Sequence, residues 1–277
     1  MENAQWLERV RCPKTKLGGW ATSFVSSAME NGLPRDGYLV NESAGTVYNI
    51  RNGILDLTAN LKHSDLTPAG WSNHFFPTPQ LYERIWRKRA LTILSGENFS
   101  VARELNVLND WVKVQAGEYV IDLGTSTGLY ARGITNKFVT TFAIDLSWGM
   151  LREAKKYIGR EKWQGIVLMR AAAENLPFHD ASMDAIVVGG SFNEMKSIAV
   201  AMREANRVTR RGGRMFVMSL SRATNNPARL LQKLARASGI KFPSVNEFNA
   251  MANQTGWNVT NQEAKGSVLF SLLKNMK

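Results

Sequence analysis

Residues Tyr119–Arg132 read YVIDLGTSTGLYAR, and the fold is decided by how this stretch is read. A short apolar run, Tyr119-Val120-Ile121, meets Asp122, then a loop of small residues, then the start of a helical pattern. That order is how a parallel strand ends in a turn that holds a nucleotide-like ligand. Gly124 and Gly128 let the main chain turn sharply and approach a ligand where a Cβ would collide. Backbone N–H groups at the helix start attract negative charge such as a carboxylate or phosphate.

Outward from this loop, strands and helices alternate. Thr140–Ile144 is a second strand ending at Asp145, and Ser147 is a suitable N-cap for a helix with Met150, Leu151, Ala154 and Ile158 on its apolar side. Ile166–Met169 and Met183–Val188 are the third and fourth strands, the latter ending in Gly189-Gly190. A helix through Ile198, Met202, Ala205 and Val208 is expected to stop at Gly212-Gly213, before a fifth strand, Arg214–Leu220. Asn226-Pro227 starts a further helix that Gly239 ends. The tail holds a helix over Ser244–Thr255 and two β-prone runs, Trp257–Thr260 and Ser267–Leu273. Repeated β–α units place the chain in the α/β class with a doubly wound, parallel sheet.

Upstream, three regions precede or lead into this domain. Residues 1–60 read as a small β-rich module, with turns at Gly18-Gly19, Asn31-Gly32 and Asp36-Gly37 and with Trp20, Phe24, Tyr38 and Tyr48 as packing anchors. Residues 61–118 read as a linker and helical lid, and 119–277 as the ligand-binding domain. In the middle region Tyr82, Ile85, Trp86 and Arg89 share one face of a helix, either as core packing or as a substrate lid. A second amphipathic helix turns Val101, Leu105, Leu108 and Val112 inward.

Composition narrows the class. The 277 residues, 44% hydrophobic, suffice for one large α/β domain plus an appendage. No apolar run approaches the roughly 18 residues of a membrane span, and the N-terminus lacks the order of a secretion signal. One cysteine, Cys12, excludes an internal disulfide framework. A cytoplasmic protein, soluble or peripheral to a membrane, is the expectation. The net charge of +12 is lopsided: Met1–Tyr119 holds 13 basic and 12 acidic residues, and Val120–Lys277 holds 22 and 11. Such asymmetry suits RNA, an anionic membrane surface or an acidic substrate, or is simply a solvated basic surface.

The loop is not a dinucleotide fingerprint, because Ser126 and Leu129 stand where G-x-G-x-x-G needs glycine, and no Gly-Lys-Ser/Thr follows to make a P-loop. Five motifs instead stand in order: Asp122-x-Gly124-x-Ser126-x-Gly128; Asp145-Leu146-Ser147 to Met150-Leu151; Ala173-Glu174-Asn175-Leu176-Pro177-Phe178; Asp184–Val188; and Glu204-Ala205-Asn206-Arg207-Val208 to Gly212-Gly213-Arg214. Together they resemble class I S-adenosylmethionine-dependent methyltransferases, above all the ubiquinone/menaquinone C-methyltransferase-like group. The resemblance covers about Tyr119 to Leu220 and implies a Rossmann-like, mainly parallel seven-stranded sheet with an antiparallel last strand. Cys12-Pro13 and Tyr48–Ile54 resemble the zinc-ribbon extension of some members, but one cysteine cannot supply the about four ligands zinc needs, so no metal is expected.

The resemblance also implies roles. Asp122 would orient the methionine ammonium, directly or through water, and the turn through Gly124, Ser126 and Gly128 would face the carboxylate. Asp145 would accept from the ribose hydroxyls. Leu146 and Met150 would flank adenine, with Ala172, Ala173 and Glu174 at its edge. Gly189, Gly190 and Ser191 would lie beside the transferred methyl. Two departures stand out: Ser126 replaces the middle glycine, and Ala172 replaces an aspartate, removing an acceptor worth about 1 kcal/mol. Methyl transfer needs a positioned acceptor and, for a phenol or acidic carbon, a base. Asn193 and Glu194 lead the candidates, followed by His74, Tyr82 and His179; surface positions are the plainer reading of both histidines. A small lipophilic aromatic or isoprenoid-type acceptor, methylated at carbon or oxygen, comes first. RNA comes second, suggested by Arg222, Arg229, Lys233, Arg236 and Lys241; leucines between these cations also suit a helix resting on the core or on an anionic membrane. A third reading is cofactor binding without turnover.

Overall fold

The computed structural model describes residues 5–24, 28–30, 33–41, 45–58, 88–135, 138–223, 226–237 and 239–277. His63, His74 and the expected lid helix with Tyr82, Ile85 and Trp86 lie outside these residues. The chain opens with a 3-10 turn, Gln5–Arg9, then β1 (Ala21–Phe24), β2 (Met29–Glu30), β3 (Leu33–Pro34), β4 (Gly37–Asn41), β5 (Thr46–Arg51) and β6 (Ile54–Asp56). Two helices, α1 (Lys88–Ser95) and α2 (Val101–Val112), lead to β7 (Tyr119–Leu123). There follow α3 (Leu129–Ile134), β8 (Thr140–Asp145), α4 (Trp148–Glu161), β9 (Ile166–Arg170), β10 (Met183–Gly189), α5 (Ile198–Val208) and β11 (Thr209–Leu220). The chain closes with α6 (Asn226–Ala237), α7 (Val245–Gln254), β12 (Trp257–Lys265) and β13 (Val268–Asn275).

Among the described residues one sheet holds eleven strands in the order β1-β4-β5-β6-β9-β8-β7-β10-β11-β13-β12, and β2 pairs with β3 apart from it. The sheet is therefore mixed and wider than the expected mainly parallel seven. Pairing is parallel from β6 across to β11 and antiparallel on both flanks. The added width comes from the N-terminal hairpins, whose last strand lies parallel to β9 with Ile54 opposite Leu168 and Asp56 opposite Arg170. Ile54 and Leu55 are fully buried there. Arg170 fixes the register by pairing with Asp56 at 3.3 Å and donating to Thr58 Oγ1 at 2.7 Å.

Side-chain alternation along the central strands builds three apolar clusters, the smallest setting Ala143, Ile166 and Leu168 against Leu151, Ala154 and Ile158 of α4. Val120, Ala185, Val187 and Phe216 face α1, α2 and α3 through Leu91, Leu108, Val112, Tyr130 and Ile134. Ile121, Phe142, Ile186, Val188, Met215 and Val217 face α5 and α7 through Ala201, Met202, Ala205 and Phe248, and also meet Trp6 and Val10. The N-terminal segment lies against the main domain: Trp6 meets the edge of Phe142 at 5.7 Å, and the Arg9 guanidinium sits 3.7 Å above the Tyr119 ring.

Of the expected module anchors, Tyr48 is buried and meets Trp20 edge-on at 5.9 Å. Tyr38 is instead exposed, because alternation along β4 turns Leu39 inward. The Phe24 side chain lies outside what the structure describes. Cys12 is buried, its Sγ 3.2 Å from Tyr48 Oη and 3.5 Å from Thr46 Oγ1. Gly212-Gly213 does not end a helix: α5 stops at Val208 and the chain runs directly into β11. The glycines sit at a register shift, where a Cβ on Gly213 would be 2.5 Å from Thr209 Cγ2 and 2.8 Å from the Asp184 carbonyl.

Candidate functional site

Apart from His179, the expected site residues that are described lie at or just beyond the C-terminal ends of β7, β8, β9 and β10. That end is where open α/β sheets bind ligands. Gly124, Ser126, Asp145, Leu146, Glu174, Gly189, Ser191 and Glu194 are half-buried and form the accessible rim, whereas Asp122, Gly128, Met150, Ala172, Ala173 and Asn193 are buried. His179 lies elsewhere, on the turn beside Arg9.

The loop after β7 is held by its own polar groups. Asp122 is 1% exposed, and its Oδ2 accepts from the Thr125 hydroxyl and from the Ala131 amide at 2.9 Å. The Ala131 amide belongs to α3, which is only six residues long, so a protein carboxylate takes a donor that the sequence assigned to a ligand. Gly124 has φ +70°, and its α-carbon lies against Ser191, whose Oγ donates to the Leu123 carbonyl at 2.7 Å. The close approach that glycine permits here is thus to protein.

Ser126 is left-handed, φ +52°, a conformation that costs a residue with a Cβ. Its amide donates to Asp145 Oδ2 at 2.8 Å, and its hydroxyl lies 3.4 Å from Met150 Sδ. Asp145 Oδ1 accepts from the Ser147 amide at 2.8 Å, and the Ala171 amide reaches the Asp145 carbonyl at 3.3 Å. Burial pushes the Asp145 carboxyl above its ordinary value, against the pull of the Ser147, Ser126 and Leu146 amides. Ser147 caps α4 as expected, accepting from the Met150 amide.

Behind the loop is a cavity of about 20 Å³ lined by Asp122, Thr125, Thr127, Tyr130 and Gly189 among others. That is room for about one water, so a nucleoside would have to lie along the accessible rim. The Tyr130 ring packs on Gly189, where a Cβ would come within 3.1 Å, and its hydroxyl donates to the fully buried Glu104. Sequence reasoning missed this pair; Glu104 amid the apolar positions of α2 was the available signal.

Asn193 acts as a clamp. Its Nδ2 donates to the carbonyls of Leu220 and Lys241, its Oδ1 accepts from the Leu220 amide at 2.8 Å, and its carbonyl accepts from the Lys241 amide at 2.8 Å. With the residue 1% exposed, this geometry joins the end of β11 to the segment before α7. Lys241 Nζ donates to the Met195 carbonyl; burial lowers its pKa, and the nearby Glu174 opposes that shift. Glu174 Oε1 accepts from the Ser197 amide at 3.3 Å at the start of α5. Two motifs that read separately in sequence form one cluster. Arg207 donates to the carbonyls of Leu176 at 3.0 Å and Phe178 at 2.8 Å and pairs with Glu204 and Asp180, and Glu204 accepts from the Leu176 amide.

The donor set suits a nucleoside linked to an amino acid. It offers a carboxylate at the end of β8, apolar Leu146 and Met150 beside it, and a loop of small residues at the end of β7. Among the described residues no three His, Cys, Asp or Glu side chains gather as metal ligands.

Residues 121–217 match a family model described as "Methyltransferase domain". A demethylmenaquinone methyltransferase of Thermobifida fusca is 30% identical over 116 residues, 42% of this chain and 49% of that protein. An uncharacterised chloroplastic methyltransferase of Arabidopsis thaliana is 30% identical over 155 residues, 53% of this chain and 43% of that one. The chain thus spans about half the length of these curated relatives. The structure of a SAM-dependent methyltransferase from Aquifex aeolicus superposes with a TM-score of 0.53 at 15% identity, covering 71% of this chain and 97% of that one. At that identity the likeness concerns the fold.

Proposed function

We propose that this chain transfers a methyl group from S-adenosyl-L-methionine to a small lipophilic acceptor of aromatic or isoprenoid type, at carbon or oxygen. The observation that carries the reading is the half-buried Asp145 carboxylate on the same rim as Gly124, Ser126, Leu146 and Gly189–Ser191, within a segment matched to a methyltransferase domain. The acceptor class is supported by the relative named demethylmenaquinone methyltransferase. Residues 119–277 form the cofactor-binding domain in this reading, with 1–60 appended to it and 61–118 between.

Asp145 accepts from the ribose hydroxyls, Leu146 and Met150 flank the adenine, and the Ala172–Ala173 backbone and Glu174 lie toward its edge. Asp122, already holding Thr125 and Ala131, fixes the loop that meets the amino-acid end. The cofactor supplies an electrophilic methyl on sulfonium; the protein positions the acceptor and shields it from water. In this reading Glu194, half-buried on the turn that carries Ser191, orients an acceptor hydroxyl or takes its proton, and Asn193 holds that turn in position. Calorimetry with S-adenosylhomocysteine tests the site: heat is expected from the unaltered chain and not from Asp145→Ala. No heat from either at high ligand concentration sinks the reading. Labelled methyl appearing in a lipid extract, rather than in total RNA, supports the acceptor class. Binding without incorporation in either leaves a cofactor-binding protein.

A further inference from the structure

Helix α6 is tied down on one side and open on the other. Gln232 is buried; its Oε1 accepts from the Ala223 amide and its Nε2 donates to the Ser221 carbonyl, both at 2.9 Å. On the far side Leu230 is 63% exposed and Leu234 65% exposed, two of the three most exposed large hydrophobic side chains among the described residues. At about 100° per residue, Leu230, Leu234 and Ala237 share one arc of roughly 60°. Lys233, Arg229 and Arg236, all exposed, fill the adjoining arc. The helix carries no Asp or Glu.

The cationic arc continues into a cavity of about 590 Å³ whose lining includes Arg236, Lys241, Lys196, Ile240, Phe242 and Met251. Arg222 at the same cavity is neutralised by Glu247, with both carboxylate oxygens 2.8 Å from its Nη2. Arg236, exposed at the end of α6, carries the cationic arc onto the rim.

We propose that this face, α6 with the adjoining cavity, docks on an anionic lipid bilayer. The leucines enter the acyl boundary, Arg229, Lys233 and Arg236 meet headgroup phosphates, and the cavity takes one headgroup with the start of its chain. Charge complementarity and the apolar stripe argue together for this occupant. A nucleic acid would engage the cations but leave Leu230 and Leu234 in water, and α6 offers no aromatic ring on which a base can stack. The proposal does not depend on the methyl-transfer reading.

Flotation with vesicles tests it. The full chain is expected to float with phosphatidylcholine–phosphatidylglycerol vesicles but not with phosphatidylcholine alone, and to be released by salt. Leu230→Asp with Leu234→Asp should abolish flotation, and Arg229→Gln with Lys233→Gln should weaken it by roughly fivefold per charge removed. Circular dichroism and the thermal midpoint of each variant report folding separately; should the aspartate pair lower the midpoint, the glutamine pair decides. Equal flotation with neutral vesicles, or variants that float like the unaltered chain, would overturn the proposal. So would a dimer in sedimentation velocity that dissociates in the aspartate variant, or RNA binding that keeps its strength in that variant while vesicle binding is absent from the unaltered chain.

Discussion

Ser191 occupies the space above Gly124: a Cβ built on that glycine would stand 2.2 Å from Ser191 Oγ and 2.3 Å from its Cβ. The turn after β10 therefore rests directly on the turn after β7, and this contact packs the two halves of the rim together. Gly124→Ala should destabilise the fold by about 2 kcal/mol, from overpacking and a left-handed backbone at φ +70°. Adding Ser191→Gly should recover part of that loss, a coupling that a double-mutant cycle in urea measures. Strictly additive effects would mean the contact carries no energy.

Ser126 holds a left-handed conformation at φ +52°, which glycine adopts without the steric cost. Ser126→Gly should raise stability by about 0.5 kcal/mol, the relief of strain exceeding the added chain entropy and the lost Met150 contact. A lower thermal midpoint would show that the hydroxyl–sulfur contact outweighs the strain.

Asp145 pulls affinity and stability in opposite directions. Its folded carboxyl titrates above the ordinary value because of burial, so its contribution favours the folded state when protonated and is lost as pH rises through the folded pKa. Asp145→Asn should weaken S-adenosylhomocysteine by tenfold or more, about 1.4 kcal/mol, while the thermal midpoint at neutral pH changes little, because the relieved burial of charge is offset by an NH2 group set against the Ser126 or Ser147 amide. In the unaltered chain affinity should fall as pH drops through that raised value. Calorimetry across pH checks both, and a pH-independent affinity would remove Asp145 from the binding set.

For Glu204 the sign is reversed. Burial raises its carboxyl, but the Arg207 hydrogen bond and charge outweigh that and hold it below its ordinary value of 4.5; Asp180, bonded to Arg207, also lies low. A depressed carboxyl stabilises the fold above its unfolded pKa, and that stability is lost as pH falls through the folded one. Arg207→Met should cost about 2 kcal/mol at pH 7, because it leaves the half-buried Glu204 without its cation and the Leu176 and Phe178 carbonyls without their donor. The loss should shrink as pH falls below about 4.5. Urea midpoints at neutral and acid pH test this, and a pH-independent cost would exclude the ionic component.

The central strands were legible because each is a short apolar run closed by Asp, Gly or a turn, and the caps were legible because they are local. Ser147 and Ser244 both start helices, and Glu247 completes a capping box with Ser244. What sequence could not supply was the identity of long-range partners. Gly124 reads as room for a ligand until Ser191 is seen filling it, and Asn193 reads as a free amide until its bonds to Leu220 and Lys241 are seen. The Gly212-Gly213 pair has the composition of a turn but serves a register shift, which depends on Asp184 from another strand.

The parallel pairing of β6 with β9 has a consequence for solubility. β9 is buried along Ile166–Met169, and without β6 its unpaired amides and carbonyls would form an apolar edge open to a second chain. The N-terminal hairpins move that edge outward to β1, beyond β5 and β4, on which Val47 and Tyr38 are exposed while their strand neighbours alternate inward. A chain beginning after residue 60 should therefore aggregate through β9 even with every residue of the rim intact. In this molecule the first strands act as an edge guard, protecting the sheet from copies of itself.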